Sequence, residues 1–285
     1  MKIGFFLAFL AFLFAVSANA AWYLDRDNSM RPVSATEGPG AAMATVMSHR
    51  GWSQAVQVCD GVYLANVHNL VDRPGGPEGN GPSWHISAYP MSQEMVRELP
   101  DPSTFFSPRM ETFDAWGQAE TDYLFFRLSD PPNAGVLRPI VMADEQLAAR
   151  SDVYLYRPIT RYQQNSDGSP DFSTTALIGG NEGMNRLQVP YRVNNACEII
   201  DRRGSSVRDT TCPVENGVSG SPYVLETERG YFLVGIHTYG GEGYETSYSE
   251  RATTPNAFIQ SRHFCAGYER MCGEPCAELS DVEGQ

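Results

Sequence analysis

The stretch Cys212-Pro-Val-Glu-Asn-Gly-Val-Ser-Gly-Ser-Pro-Tyr-Val224 sets a serine, Ser219, between glycines two residues before and one after, with proline three after. Glycine adopts dihedrals closed to other residues, so such a loop turns tightly and its N–H groups converge on one point. Converging N–H groups receive negative charge on an oxygen, and those of Gly217 and Ser219 are the candidates. Read alone, the stretch also has a plainer reading as a Gly/Ser hairpin loop, since both residues form ordinary turns. A nucleophile elbow is excluded, because that motif needs G-x-S-x-G.

Two upstream segments give the serine its context. Val62-Tyr-Leu-Ala-Asn-Val-His68-Asn-Leu-Val71 follows the turn dipeptide Asp60-Gly61 and ends an apolar strand on a histidine. An imidazole at a strand end can act as a base near neutral pH. In Glu120-Thr-Asp122-Tyr-Leu-Phe-Phe-Arg-Leu128, an aspartate stands immediately before a strongly apolar strand. A carboxylate sunk there can hold an imidazole in one tautomer. Each segment taken singly also has a plainer reading, a structural histidine and a solvated turn aspartate.

The rest of the chain reads as short strands punctuated by turns. Apolar or alternating runs occupy Met43–Met47, Ala55–Val58, Val62–Asn66, Trp84–Tyr89, Tyr123–Leu128, Val153–Tyr156, Leu187–Val193, Tyr223–Leu225, Tyr231–His237 and Ala257–Gln260. Gly, Pro, Asn and Asp bound them, and Cys59-Asp60-Gly61 is a hairpin signal. Ser92–Leu99 and Asp144–Arg150 are the expected short helices. Asp72–Pro82 and Gln163–Ser173 are long polar loops. Asp130-Pro-Pro-Asn-Ala-Gly135 reads as a linker that divides the strands into two groups. Many short strands of this kind build a sandwich or a barrel.

Composition narrows the function classes. The 285 residues carry 21 basic and 34 acidic side chains, a formal net charge of −13, with 42% hydrophobic and 19% charged residues. That hydrophobicity excludes a disordered chain. The acidity excludes nucleic acid and anionic membrane surfaces as expected partners, since both need clustered Lys and Arg. Lys2, the apolar run Ile3–Val16 and Ala18-Asn19-Ala20 have the order of a signal peptide, expected over residues 1–20. The run falls short of the roughly 20 residues a membrane-spanning helix needs. An exported chain with six cysteines, at 59, 197, 212, 265, 272 and 276, is expected to form disulfides. Cys272-Gly-Glu-Pro-Cys276 has metal-like spacing but no second ligand pair. His49, His85 and His263 lack metal spacing, and Asp167-Gly168 with Asp171 reads as a turn. Neither a metal nor a cofactor is expected.

Taken together, the three segments resemble the chymotrypsin-like serine peptidases. The order His68, Asp122, Ser219 is that family's, and differs from the subtilisin and α/β-hydrolase orders. Gly217-Val-Ser-Gly-Ser-Pro222 resembles G-D-S-G-G-P, and more closely the G-x-S-G-S-P of the bacterial glutamyl-endopeptidase-like branch. Ala65-Asn-Val-His68 is similar to T-A-A-H, and Asp122-Tyr-Leu-Phe-Phe-Arg-Leu128 to D-h-A-L-L-x-L. Val234-Gly-Ile-His-Thr-Tyr-Gly240 resembles the strand that pairs with substrate backbone, which implies substrate contacts for His237, Thr238 and Tyr239. The resemblance spans roughly residues 40–262. It implies an all-β fold of two antiparallel six-stranded β-barrels with the active site between them. The first barrel would take residues 21–135, with His68 and Asp122, and the second 136–263, with Ser219. A Cys-rich acidic tail, 264–285, lies beyond it. It further implies a secreted, monomeric serine endopeptidase acting on proteins or peptides through an acyl-enzyme, with an oxyanion hole at Gly217 and Ser219.

Departures from the pattern carry information. Val218 replaces the aspartate that pairs with a newly freed N-terminus in the family, so that mode of activation is not expected. Asn69 replaces a cysteine, so a familiar bridge beside the histidine is absent. Cys197 and Cys212 resemble a family disulfide near the specificity pocket; the other four cysteines allow three pairings, which stay open. Gly235-Ile-His237 resembles the acid-specific branch, whose histidine contacts an acidic substrate side chain, while Val214 stands where that branch has a hydroxyl. Cleavage after acidic residues and cleavage after apolar ones are therefore both consistent with the pocket. The alternative function is an inactive pseudopeptidase that uses the same fold as a binding module.

Overall fold

A computed structural model describes residues 22–23, 30–48, 51–71, 84–89, 96–100, 104–111, 119–163, 174–177, 181–184, 186–200, 207–212, 214, 217–239 and 256–283. The expected signal segment, the loop Asp72–Pro82 and all of Gln163–Ser173 after Gln163 lie outside the described residues.

Strands dominate the chain. They are β1 (Trp22–Tyr23), β2 (Met30–Pro32), β3 (Met43–Ser48), β4 (Gly51–Cys59), β5 (Val62–Ala65), β6 (His85–Ala88), β7 (Arg97–Glu98) and β8 (Leu124–Arg127). Then follow β9 (Ile140–Val141), β10 (Val153–Gln163), β11 (Thr174–Leu177), β12 (Asn181–Met184), β13 (Arg186–Val193) and β14 (Ile199–Ile200). The last are β15 (Val207–Thr210), β16 (Pro222–Thr227), β17 (Gly230–Tyr239), β18 (Asn256–Gln260) and β19 (Ala277–Glu278). Short helices interrupt them: α1 (Val67–Leu70), α2 (Pro108–Glu111), α3 (Asp144–Ala148), α4 (Cys265–Cys272) and α5 (Leu279–Glu283).

The chain divides into two compact units. The smaller comprises the described parts of 1–27 and 159–188, where β1 pairs with the end of β10 and β11 forms a hairpin with β12. The larger, 28–158 with 189–285, contains the residues of interest. Its first sheet is antiparallel, in the order β7-β6-β3-β4-β5-β8. Its second runs β14-β15-β18-β17-β16-β10-β13-β2. The fold is all-β, as the strand pattern indicates.

The β4–β5 hairpin turns at Gly61, whose φ of 68° lies in the left-handed region. A Cβ there would stand 2.5 Å from the Leu128 carbonyl oxygen. Glycine is thus required twice over, and the close approach lets Leu128 N–H donate to Gly61 O at 2.8 Å. Strand alternation then divides β8 between two cores. Leu124 and Phe126 pack with Val46, Tyr63, Val67, Leu70 and Ile86. Phe125, and Tyr123 just before the strand, turn the other way, towards Phe264 and Tyr268 of the tail.

Asp144–Arg150 does contain a helix, α3, with Asp144 and Glu145 in its first turn, where they favour the helix dipole. The described part of Ser92–Leu99 holds a strand instead, β7. Pairing with β6 (His85↔Glu98, Ile86↔Arg97) extends the sheet edge and satisfies backbone groups that a lone helical turn would leave open. The linker Asp130–Gly135 runs without helix or strand, anchored by Asn133, whose amide donates to Ala41 O and Met43 O and accepts from Tyr63.

The tail is integrated into the fold. Helix α4 ends at Gly273, left-handed at φ 77°, whose N–H donates to Glu269 O. β19 pairs in parallel with β9. Disulfides join Cys59 to Cys272, Cys197 to Cys212 and Cys265 to Cys276. The Cys59–Cys272 bond spans 213 residues of sequence and Cys265–Cys276 spans 11. On the chain-entropy model, their removal costs about 5 and about 3 kcal/mol respectively. Urea unfolding of the two double-serine variants should therefore rank Cys59/Cys272 as the more damaging loss; the reverse ranking contradicts this account.

Candidate functional site

Asp122 is the organising group. It leaves a 3₁₀ turn, Ala119–Thr121, two residues before β8, and is only 4% exposed. A buried carboxylate is costly unless hydrogen-bonded, and this one is well supplied. Oδ1 accepts from the His68 backbone N–H at 3.0 Å and from Arg109 Nη1 at 2.8 Å. Oδ2 accepts from His68 Nδ1 at 2.5 Å and from the Thr238 hydroxyl at 2.7 Å. Asn66 Nδ2 donates to the Asp122 main-chain oxygen at 2.9 Å.

These contacts decide the histidine's tautomer. His68 lies in the single turn α1, directly after β5, with its side chain 37% exposed. An ionised carboxylate only accepts, so Nδ1 carries the proton and Nε2 carries the lone pair. The imidazole is thus oriented with a basic nitrogen away from its carboxylate.

The serine loop is held from two sides. Gly217 and Gly220 adopt φ of 88° and 87°. A Cβ on Gly220 would lie 1.9 Å from the Gln54 carbonyl oxygen, so that position admits only glycine. On one side, Gln54 of β4 donates its N–H to Ser219 O at 2.7 Å and its Nε2 to Gly217 O at 3.0 Å. Tyr89 donates its hydroxyl to Gln54 Oε1, which fixes the amide with its nitrogen towards the loop. Thr45 donates to Tyr89 in turn, at 2.7 Å. On the other side, Gly220 N–H donates to His237 O at 2.8 Å, and His237 N–H to Ser221 O at 2.9 Å. Ser219 itself is half-buried and Val218 is buried.

His237 and Thr238 are consecutive in β17. The first anchors the serine loop through its backbone, the second binds Asp122 through its hydroxyl. One strand segment therefore positions both Ser219 and the Asp122–His68 pair. Tyr239 continues β17, paired with Ala257. Val214 is half-buried, two residues after Cys212, whose carbonyl accepts from Asn256 Nδ2 at 2.8 Å.

The side chain of His237 is buried, with Nδ1 3.4 Å from the Tyr223 hydroxyl. Burial first, then the charges of His68 and the buried Arg157, push its pKa down to about 3. It is neutral at physiological pH.

Sequence reading did not find Arg109 or Gln54. Neither belongs to a motif, and each reaches the site by long-range packing. Among the described residues, no cluster of His, Cys, Asp and Glu could hold a metal ion.

No family model matches the chain, and no curated protein matches it. Among solved structures it is similar to mouse neuropsin, a serine protease expressed in the limbic system of the brain. That similarity has a TM-score of 0.50 at 12% identity, over 85% of this chain and 98% of neuropsin. At such low identity it establishes the fold, the two-barrel all-β architecture of chymotrypsin-like proteins.

The depressed pKa of His237 has a stability consequence. Unfolding returns the imidazole to its ordinary value of 6.5, so between about 3 and 6.5 the unfolded chain binds the extra proton. Stability should rise with pH across that window and fall as pH drops through it. Urea titrations from pH 7 to pH 4 on the native protein and on His237→Gln test this: the slope should be visibly shallower in the variant. Identical slopes would remove His237 from the account.

Proposed function

We propose that the protein is a secreted serine endopeptidase. The observation that carries this reading is the arrangement around β17. The carboxylate of Asp122 fixes His68 with Nε2 as its basic atom, and the adjacent β17 residue holds the loop that presents Ser219. The two-barrel fold and three disulfides are in keeping with an exported hydrolase. Among the described residues, no helix is long and apolar enough to cross a membrane.

In this reading Ser219 Oγ attacks the scissile carbonyl carbon and its proton passes to His68 Nε2. The carbonyl oxygen takes the electron pair and is received by the N–H groups of Gly217 and Ser219. Collapse breaks the C–N bond while His68 hands the proton to the leaving amine, leaving an acyl-serine. Water repeats the steps with His68 as base, releasing the acid. Asp122 stabilises the imidazolium throughout without itself taking the proton.

The loop has its own support in this scheme. Val218 cannot pair with a freed N-terminus, and Gln54 grips the carbonyls on either side of it. A folded, disulfide-bonded chain is therefore competent without a buried terminal amine.

Specificity follows from His237, Thr238, Tyr239 and Val214. A neutral imidazole still donates one N–H, and the positive charge of Arg157 acts on the same place. Both favour an acidic side chain before the scissile bond, which we propose as the preferred substrate class. Val214 adds an apolar wall.

A fluorophosphonate probe should label Ser219, located by mass spectrometry, and Ser219→Ala should lose labelling and lower kcat by on the order of 10⁴-fold or more with its fold intact. A folded native protein that neither labels nor cleaves would instead be a binding module on this fold. A peptide library varied before the scissile bond should show Glu and Asp preferred. His237→Ala should reduce kcat/KM on those peptides about 10- to 100-fold and spare apolar ones. Equal rates on Leu and Glu peptides would end the acid preference and leave the peptidase assignment standing.

A further inference from the structure

The Asp122 carboxylate carries one charged side-chain partner that the proposed chemistry does not use, Arg109. It lies in the short helix α2, 6% exposed, with its N–H on Ser107 Oγ at 3.2 Å. Its guanidinium donates to Oδ1 at 2.8 Å, and both side chains are below one-tenth exposed. The two Asp122 oxygens thus face opposite demands, Oδ2 the imidazole and Oδ1 a permanent cation.

We infer that Arg109 is a positioning residue that sets the working pH of the site: its charge offsets that of Asp122, so protonated His68 is stabilised less, and His68 remains a base in more acidic solution. This rests on the proposed peptidase function. A buried ion pair sums to zero charge, and a proton added at His68 leaves the cluster cationic. Salt screens the buried Arg109–Asp122 pair weakly, while the partly exposed His68 imidazole feels a solvent-reduced share of that charge.

Other charged or titratable groups also lie around the pair, and all of them stay unchanged when Arg109 is replaced. His237 of β17 is neutral at working pH, and the buried Arg157 of β10 acts on it. Tyr123 donates its hydroxyl to the His263 carbonyl oxygen and stays neutral. Glu111 of α2 is exposed and pairs with Arg270. Glu120, in the turn before Asp122, is half-buried. Thr238 and Asn66 bring hydrogen bonds but no charge.

Two neutral variants, Arg109→Gln and Arg109→Met, and one that keeps the charge, Arg109→Lys, separate charge from packing. The primary measurement is an NMR titration of the His68 imidazole in the Ser219→Ala background, which needs no activity. Its midpoint should move up by about one pH unit in the neutral variants and stay within a few tenths in Arg109→Lys. In the active background, the acid limb of kcat/KM should move by the same amount. Equal midpoints in all variants overturn the inference. So does loss of the fold in both neutral variants while Arg109→Lys folds, since Arg109 is then a structural counter-ion only. If the midpoint shifts but the native protein cleaves nothing, the electrostatic role stands and the peptidase reading fails.

Discussion

A carboxylate buried at 4% exposure is the constraint on which the rest of the site depends. Removed from water, it requires donors on every side. They come from three separate parts of the chain: His68 in α1 just after β5, Arg109 from α2, and Thr238 from β17, while Asn66 holds the Asp122 main-chain oxygen. Each must be delivered within hydrogen-bonding distance by its own element. This is why β5 must pair with β8, and why β17 must lie where its Thr238 reaches across from the second sheet. The sheets form because alternating apolar residues need burial, and the registers that this pattern and the turns set bring the donors to Asp122.

The serine loop illustrates a second way of making a rigid site. Its described residues form no helix, and it has little apolar content of its own. Its order comes from backbone groups: two carbonyls received by Gln54 and two bonds exchanged with His237. Because Gln54 is fixed by Tyr89, and Tyr89 by Thr45, the rigidity comes from the first sheet. Gly220 makes the approach possible, since any side chain there would overlap the Gln54 carbonyl.

Much of this was legible beforehand. Period-two alternation located the principal strands, and turn residues located their ends. His68, Asp122 and Ser219 stood out because each lies at a boundary between apolar sequence and a turn. Arg109 did not, because Ser107-Pro-Arg109-Met has the form of an ordinary surface loop and its burial is decided by what packs over it. Gln54 was hidden for the opposite reason: a polar residue within a strand looks solvent-facing until the partner loop covers it. The described end of Ser92–Leu99 is the edge strand β7 and not helix, because propensity is local while sheet pairing is not. The pairing of Cys59 with Cys272 was likewise beyond local reading, since it depends on where α4 packs.

That bond bears on the order of events during biosynthesis. Chains emerge N-terminus first, so Cys59 exists as a thiol long before Cys272 has been made. In the interval Cys197 and Cys212 appear, chemically able to capture it. The aromatic contacts of Tyr123 and Phe125 with Phe264 cannot form until the tail arrives either. The first sheet therefore has to wait in an incompletely buried state, open to wrong disulfides that are corrected by thiol exchange over seconds to hours. Maturation of this protein is thereby tied to thiol–disulfide exchange capacity in the compartment where it folds, and the yield of folded chain is the quantity that capacity controls.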